Sequence, residues 1–574
     1  MTHSGAVRWL PATPSPHIVD TLEHDLALPR VLAYLLAVRG IDTPEEASAF
    51  LHPTLSTFPD PSSLPQLDAA AARLAAAIRG HESILIWGDY DVDGITSTVL
   101  LLSFIENCGG SADYYLPHRE DDGYGLNMPR VEQAIDDRVQ LVVTVDCATA
   151  NHKEVQALTG AGVDVIVTDH HTLQGEHPPA FAFLNPQRVD APEAFRPLAG
   201  VGVAFLLIAG ARQVMAQGDR TPPLKSYLDL VALGTIADMV PLQGLNRTLV
   251  YHGLRSWEKP ARPGLAALNR VAGVEDRVLD SSSIAFTIGP RLNAAGRMAS
   301  ASRAVELLRT RSFSKGLVMA RDLDRLNNER KELEAGIFRE ALAQVEARPD
   351  GDGPEVTIAV GEGWARGVLG IVATRQVGHI HRPALVLGVG SDGVATGSGR
   401  SIKGFNLVRA LDRAGDLLDR FGGHAMAAGL SLLPAQIDAL RSRLSATLAA
   451  ETTDEDLVSS LNVDLEIPIE DLANETVLSV EAMAPFGSGN PEPRFLSRGV
   501  NLLSHKQVGK DGAHLKLVVD GNDGRRLDAI AFRRGGEVLA AGDRLDLVYV
   551  PELRTWRGVR SLQLRIEDLR RCNQ

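Results

Sequence analysis

Three uninterrupted apolar runs in the first third of the chain each end on acid. Ile84-Leu85-Ile86-Trp87 leads into GDYDVDG (88 to 94), LVVTV (141 to 145) stops at Asp146, and VDVIVT (163 to 168) stops at Asp169-His170-His171. Apolar runs without polar alternation predict strands buried on both faces, and the segment Ile95 to Phe104, ending near Gly109-Gly110, has the apolar content of a buried helix. Strands alternating with helices predict a parallel sheet covered on both sides. In such sheets ligands bind beyond the carboxyl ends of the strands, which is where all three acidic clusters fall. Further along, DLVALGTIADMVPL (229 to 242) is mostly apolar yet carries Asp238 close to a proline stop.

From about Ser314 to Val345, Val318, Leu323, Leu326, Leu333, Ile337, Leu342 and Val345 recur near helical spacing among many charges, which predicts a long connecting helix. Residues 354 to 450 repeat the strand and helix alternation, with glycine-rich loops at GSGRS (397 to 401) and GGHAMAAG (422 to 429), and predict a second α/β domain. The last part changes character: LKLVV (515 to 519), LDAIAF (527 to 532), LDLVYV (545 to 550) and LQLRI (562 to 566), separated by turns, predict a small β-barrel. The chain is thereby divided into an N-terminal helical segment (1 to 55), the parallel-sheet domain (56 to 255), a helical connector (256 to 348), the second α/β domain (349 to 452) and the barrel (453 to 574).

A length of 574 residues accommodates these domains with a core in each. No apolar run approaches the roughly 20 residues that span a bilayer, and MTHSGAVRWLPATPSP lacks the basic start and apolar stretch of a secretory signal, so a cytoplasmic protein is expected. Cys108, Cys147 and Cys572 are far apart, without CxxC spacing, and predict free thiols. The net charge of −14 argues against a protein that coats nucleic acid along its whole surface. Between Arg494 and Gln574, however, 16 Lys and Arg stand against 10 Asp and Glu, so a local basic track survives.

Asp89, Asp91 and Asp93 occupy alternate positions, and in an extended segment they project to one side. Such convergence is unfavourable without a cation. Hard divalent ions remove the repulsion, and carboxylates with one or two imidazoles suit Mn²⁺ or Mg²⁺. Asp146, His170 and Asp238 add enough ligands for two ions sharing a bridging carboxylate, the arrangement that drives phosphoryl displacement. Taken singly, each residue has a plainer reading: a solvated acidic turn for 89 to 93, a helix cap for Asp146, a capping or ion-paired carboxylate for Asp238, a structural imidazole for His170. Their coincidence after apolar segments of one sheet domain favours the metal site.

In this order GDYDVDG, TVDCA, TDHH and GTIADMVP resemble the four motifs of the DHH phosphoesterases. HREDDGYGLN (118 to 127), GPRLNAAGRM (289 to 298), GSGRS, GGHAMAAG and the β-rich tail are similar to the branch of bacterial single-strand-specific 5′→3′ exonucleases, from Trp9 onward. The resemblance implies a DHH domain, a long helix, a DHH-associated domain and a C-terminal OB-fold around a groove. It further implies that Asp89, Asp91, Asp93, Asp146, His170 and Asp238 hold two Mn²⁺ or Mg²⁺ ions, with Asp146 as the bridge. His171 then contacts the scissile phosphate and Asp169 orients an imidazole, so that His171, Asp169 and Asp93 form the catalytic set. Small members of the family carry a histidine where this chain has Trp87, which implies that one ion is held more weakly.

Release of 5′-mononucleotides from single-stranded DNA, in recombination and repair, is the expected activity. Ser398, Arg400, His424 and Arg297 are the expected contacts to a terminal 5′ phosphate. Arg525, Arg526, Arg533, Arg534, Arg554, Arg557 and Arg560, with Phe532 and Trp556, are expected to track phosphates and stack bases along the barrel. A single-strand-binding protein and a RecQ-type helicase are the implied partners of a monomeric enzyme. The alternatives are a DHH phosphodiesterase acting on nanoRNA or cyclic dinucleotides, whose relatives generally lack the OB-fold, and a silent single-strand-binding scaffold, whose relatives usually lose metal ligands.

Overall fold

The structure is a computed structural model that describes residues 7–572 apart from 120–121, 174, 216–220, 258–259, 349–353, 522–523 and 557–558. It divides into two compact units. One comprises Pro59–Val240 and His252–Ser459, and the other Arg8–Phe58, Pro241–Tyr251 and Ser460–Gln574.

In the first unit, five parallel strands are ordered Asp113–Tyr115, Ile84–Gly88, Leu141–Val145, Asp164–Thr168, Ala182–Leu184. Strands Ile84–Gly88 and Leu141–Val145 are buried throughout, as their unbroken apolar sequence requires. Alternate side chains face opposite ways: Leu85, Trp87, Val142 and Val165 pack with Val131 and Ala134 of helix Met128–Asp136 and with Val155 and Leu158 of helix His152–Gly160. The opposite face is covered by helices Val92–Asn107 and Gly200–Met215, both buried nearly all round, with Leu228–Ala237 packed against them. Trp87 belongs to the first of these cores, its ring edge-on to Tyr115 at 4.9 Å. It is structural in this chain.

Helix Phe313–Glu346 runs from this domain to a second lobe, whose five-stranded mixed sheet is ordered Arg420–His424, Ala427–Leu432, Ala395–Arg400, Ala384–Val389, Thr357–Glu362. Ile337, Phe338 and Ala341 of the helix pack against Val368, Leu369 and Val372 of helix Arg366–Ile380. The apolar stripe read from the sequence is only partly the buried one. Val318 is 68% and Leu333 41% exposed, whereas Asn327 and Arg330 are buried and hydrogen-bond each other at 3.1 Å. One hydrogen bond ties this polar pair into the buried helical face, although Asn327 Nδ2 and Arg330 Nε have no partner there, and sequence periodicity does not reveal such a pair.

In the second unit, strands Phe495–Val508, His514–Asp520, Arg526–Ala531, Val559–Arg571 and Arg544–Trp556 pair in that order, and Arg544–Trp556 pairs back onto Phe495–Val508. The sheet is thereby closed into a five-stranded barrel of OB-fold order. Phe495–Val508 lacks the apolar run of the other strands because it is polar from Ser504 to Gln507 and bulged between Ser497 and Val500. Strand Arg8–Pro11 pairs in parallel with Ser460–Val463. Helices Pro16–Leu26 and Arg30–Val38 share one apolar core with the barrel. Among the described residues no helix is long and apolar enough to cross a membrane.

Arg247 binds this unit together. Its buried guanidinium donates to the carbonyls of Phe50 (2.8 Å), Ala484 (2.8 Å) and Pro485 (3.3 Å) and lies over the Phe50 ring at 3.6 Å. Arg247→Ala removes the side-chain donor from the Phe50 and Ala484 carbonyls, while Asn490 (2.9 Å) still serves Pro485, and is expected to cost roughly 2–4 kcal/mol. Urea unfolding followed by circular dichroism checks this. An unchanged midpoint would contradict it.

Candidate metal centre

Strand register sets the site. Gly88 pairs with Val145 and Val145 with Thr168, so the residues that follow, Asp89, Asp146 and Asp169, leave the sheet from one edge at one level. The segment 89 to 93 is not extended, contrary to expectation. Asp91 is the N-cap of helix Val92–Asn107, its carboxylate accepting from the amides of Asp93 (3.0 Å) and Gly94 (3.1 Å), and Asp93 lies in the first helical turn. A strand, a cap and a helix bring the three carboxylates together instead of strand alternation. Gly94 makes so early a helix start feasible, since a Cβ there would lie 2.4 Å from the carbonyl oxygen of Asp89.

Asp93 is buried, and its two oxygens accept from the amides of Gly200 (2.7 Å) and Val201 (2.8 Å) at the N-terminus of helix Gly200–Met215. Gly200 permits that approach, because a Cβ would come within 2.8 Å of the Asp146 side chain. Asp146 is held in the left-handed region at φ 60°, a conformation that costs about 1–3 kcal/mol for a residue of this kind. It caps no helix; the next begins at His152 and has Asn151 before it. Asp238 directly follows helix Leu228–Ala237 at its carboxyl end, where the helix dipole opposes a negative charge.

His170 Nε2 lies 3.2 Å from Asp146 Oδ1, 3.6 Å from Asp238 Oδ2 and 3.9 Å from Asp93 Oδ2. Three sets of ligating atoms each converge within 4.8 Å: Asp146 with His170 and His171, Asp93 with His170 and Asp238, and Asp89 with Asp91 and Asp146. Asp146 belongs to two of them. Asp89 Oδ1, Asp146 Oδ1 and His170 Nε2 are buried without a hydrogen-bond partner. Buried acceptors facing one another with no donor between them fit hard divalent cations, and oxygen ligands with one or two imidazoles fit Mn²⁺ or Mg²⁺. Trp87 supplies no atom to these sets.

Asp169 does not face the cluster. Its carboxylate accepts from the amides of His170 (2.7 Å) and Thr149 (2.9 Å) and binds His171 Nδ1 at 2.7 Å, which leaves His171 Nε2 free. Burial alone would push the pKa of Asp169 up, but the His171 hydrogen bond and charge outweigh it and hold the group below the usual carboxylate range. For His171 burial acts the other way, and the Asp169 bond and charge overcome it to push the imidazole up to about 9. His170 is pushed down to about 4 by burial and then by the charge of His171, so it stays neutral as a ligand must. Burial, then the neighbouring Asp91, pushes Asp93 up to about 7. Burial, then Asp93 and Asp91, pushes Asp238 up to about 9. Asp89 and Asp146 are raised well above the usual range by burial and by neighbouring carboxylates.

Next to this acidic centre lies a basic one. Arg297 is pushed down to about 10 by burial and by the charges of Arg119 and Arg330, and Arg400 is lowered by burial and by Arg119. Arg297 and Arg400 each donate to a main-chain carbonyl, of Gly367 (2.9 Å) and Gly399 (2.8 Å), instead of to a carboxylate. Ser398 stands on the same strand as Arg400, both close to Gly370 of helix Arg366–Ile380. His424 ends the exposed strand Arg420–His424. Arg119, whose guanidinium sits 4.9 Å from the Tyr90 ring, and Tyr124 were not singled out from the sequence. They lie in a polar glycine-containing loop whose composition reads as an ordinary surface turn. An arginine and a tyrosine within the HREDDGYGLN motif were the available signal.

The barrel is less uniformly basic than its sequence. Arg534 pairs with Glu537 (2.8 Å) and Asp568, Arg560 with Glu481 (3.2 Å), and Arg525 donates to the carbonyl of Leu472. The main chain of Arg533 donates to His514, which stands edge-on to the half-exposed Phe532 at 5.2 Å. Arg526 and Arg554 are exposed, and Arg554 donates to Gln563 at 3.2 Å. The Trp556 side chain and Arg557 lie outside the described residues.

Carboxylates and an imidazole at the carboxyl edge of a parallel sheet, joined through a long helix to a second α/β lobe bearing the half-buried Arg400, define a metal-dependent phosphoesterase. Residues 83–235 match the DHH family N-terminal domain, 353–450 the DHHA1 domain and 463–568 the RecJ OB domain. The single-stranded-DNA-specific exonuclease RecJ of Bacillus subtilis (strain 168) is 35% identical over 565 residues, covering 98% of this chain and 70% of that protein. The chain belongs to the RecJ family. The crystal structure of RecJ from Thermus thermophilus in complex with Mn²⁺ matches with a TM-score of 0.84 at 31% identity, covering 99% of this chain and 80% of that one. The Mg²⁺ complex from the same organism matches at 0.79 and 29%, covering 99% and 79%.

Raised carboxylates carry a sign. An unfolded aspartate releases its proton near pH 4, whereas folded Asp93 holds it to about 7 and Asp238 to about 9. The cation-free folded chain therefore binds more protons than the unfolded one, and stability is lost as pH rises through those folded values. His171, raised to about 9, acts in the same direction. In EDTA the melting temperature is expected to fall between about pH 6 and about pH 9, and Mn²⁺ to abolish most of that fall. Thermal melts at both pH values check this. A flat profile in EDTA would contradict it.

Proposed function

We propose that this chain hydrolyses single-stranded DNA from its 5′ end and releases 5′-mononucleotides, in DNA recombination and repair. The observation that carries the reading is the adjacency, within one compact unit, of orphaned ligand atoms on Asp89, Asp146 and His170 and the partly buried guanidinium groups of Arg297 and Arg400.

Asp89, Asp91, Asp93, Asp146, His170 and Asp238 would hold two Mn²⁺ or Mg²⁺ ions, with Asp146 belonging to two of the ligand sets. When bound, such a pair supplies an activated water and stabilises the leaving oxygen. Asp93 is fixed by the helix amides of Gly200 and Val201, so its aim does not depend on substrate. Asp169 holds the Nδ1 proton of His171 and turns Nε2 toward the centre, where it contacts the scissile phosphate. Arg297, Arg400 and Ser398, with Arg119, receive the terminal 5′ phosphate. His424 is exposed at the rim and contacts the strand only once it is seated. A partly desolvated cation without a carboxylate partner favours an anion brought by the substrate. Arg533, Arg554 and Phe532 of the barrel, with Arg525 and Trp556, bind the unpaired strand downstream. A single-strand-binding protein and a RecQ-type helicase supply that strand to a monomeric, cytoplasmic enzyme.

The test is a comparison of 5′-labelled single-stranded DNA, duplex DNA and a dinucleotide in Mn²⁺. Stepwise loss from the single strand alone is expected. Preferential cleavage of the dinucleotide would replace the reading with that of a small-substrate phosphodiesterase, and no cleavage of any would leave a binding scaffold. Arg400→Ala is expected to reduce the preference for a 5′-phosphorylated over an unphosphorylated strand by ~10-fold or more. Steady-state rates on the two strands measure it.

A further inference from the structure

The segment 122–127 carries an aromatic side chain into the metal centre. Its two ends are pinned. The Asp122 carboxylate accepts from the His118 amide (2.6 Å) and the Tyr115 hydroxyl (2.8 Å), while the Asn151 side chain accepts from the Leu126 amide (3.2 Å) and donates to its carbonyl (3.1 Å). Between these anchors Gly123 and Gly125, both at φ 80°, reverse the chain around Tyr124. A Cβ at Gly125 would lie 2.4 Å from the Asn151 side-chain oxygen, so the turn closes only with glycine there.

The Tyr124 hydroxyl donates to the main-chain carbonyl of Asp146 at 3.1 Å and stands 3.2 Å from His171 Nδ1. Nδ1 gives its proton to Asp169, so the phenolic proton is left for the Asp146 carbonyl while the ring meets the imidazole edge-on at 5.6 Å. The Asp146 amide donates to Thr168 at 2.9 Å, and the residue between these two tethers is the one held at φ 60°. Tyr124 is 47% exposed, so removing the hydroxyl opens no core cavity.

We propose that Tyr124 is a positioning residue for the reaction. Its hydroxyl holds the strained peptide of Asp146 and the edge of His171, and thereby fixes the carboxylate shared by the two cation sites. This rests on the assignment of Asp146 as the shared ligand. Tyr124 acts through Asp146 and His171 and touches neither the cations nor the scissile phosphate.

The test is Tyr124→Phe, read first by Mn²⁺ titration with electron paramagnetic resonance of the free ion, in the absence of DNA. Affinity is expected to fall by about 10-fold, in the range of losses when a partner that orients a ligand is removed. At Mn²⁺ concentrations saturating the parent, kcat on 5′-phosphorylated single-stranded DNA should fall by about 10-fold with KM changed by less than about 2-fold, and additional Mn²⁺ should recover part of it. The melting temperature in EDTA should stay at the parental value. Parental Mn²⁺ binding in the variant overturns the proposal. Weaker binding accompanied by a lower melting temperature in EDTA overturns it equally, because Tyr124 would then be holding the fold. A parent protein that binds Mn²⁺ but leaves DNA intact refutes the nuclease reading, while the DNA-free titration still decides the role of Tyr124.

Discussion

Buried carboxylates that face one another without a donor between them are the constraint around which the first unit is built. Asp89, Asp93 and Asp146 are all buried, and desolvation and mutual repulsion raise their affinity for protons together. Nothing in the apolar sheet offsets that arrangement. It persists because the backbone dictates it: three parallel strands end in register, a helix N-terminus clasps Asp93, and a left-handed residue turns Asp146 inward. Glycines at 94 and 200 are required by the close approaches this demands, and neither position is a flexible turn. The unfavourable electrostatics of these carboxylates become binding free energy for divalent cations.

Opposite charge is supplied by a different part of the chain and is kept apart by the fold. Arg297 follows from the helix Gly289–Met298 and Arg400 from the sheet of the second lobe, yet both respond to the charge of Arg119 in the loop that also carries Tyr124. Had these arginines paired directly with the aspartates, each centre would have neutralised the other. Their hydrogen bonds to main-chain carbonyls leave their charge unneutralised beside the acidic centre. The long helix is suited to this role because its buried face carries Leu323 and Leu326 toward one lobe and Ile337 and Phe338 toward the other.

The second unit shows how far charge counted along a sequence can mislead. The basic excess after Arg494 is real, but Arg534, Arg560 and Arg565 are tied to carboxylates of their own unit. Arg570 stacks over Trp9 at 3.7 Å, so it helps seat the N-terminal strand. Arg8–Pro11 and the helices after it complete the barrel's core from the far end of the sequence, and Arg247 joins them by hydrogen bonds to three carbonyls. Contacts separated by hundreds of residues leave no periodic trace in either partner.

By itself the sequence determined the strands at 84–88, 141–145 and 164–168, the long helix, the barrel's later strands and the acidic positions beyond the sheet. Burial on both faces demands continuous apolar runs, and a cation site demands carboxylates, so both are written in residue type. Tertiary structure alone decided that Asp91 is also a helix cap, that the imidazole oriented by Asp169 is that of His171, that Trp87 belongs to the core, and that Asn327 and Arg330 replace Val318 and Leu333 on the buried face. It also decided the membership of Arg119 and Tyr124 in the centre, because the motif that contains them is a polar loop whose composition assigns neither residue a role. Local pattern reports what each residue needs from its immediate neighbours, whereas the convergence of side chains from different elements depends on register, packing and close approach, which exist only once the chain has folded.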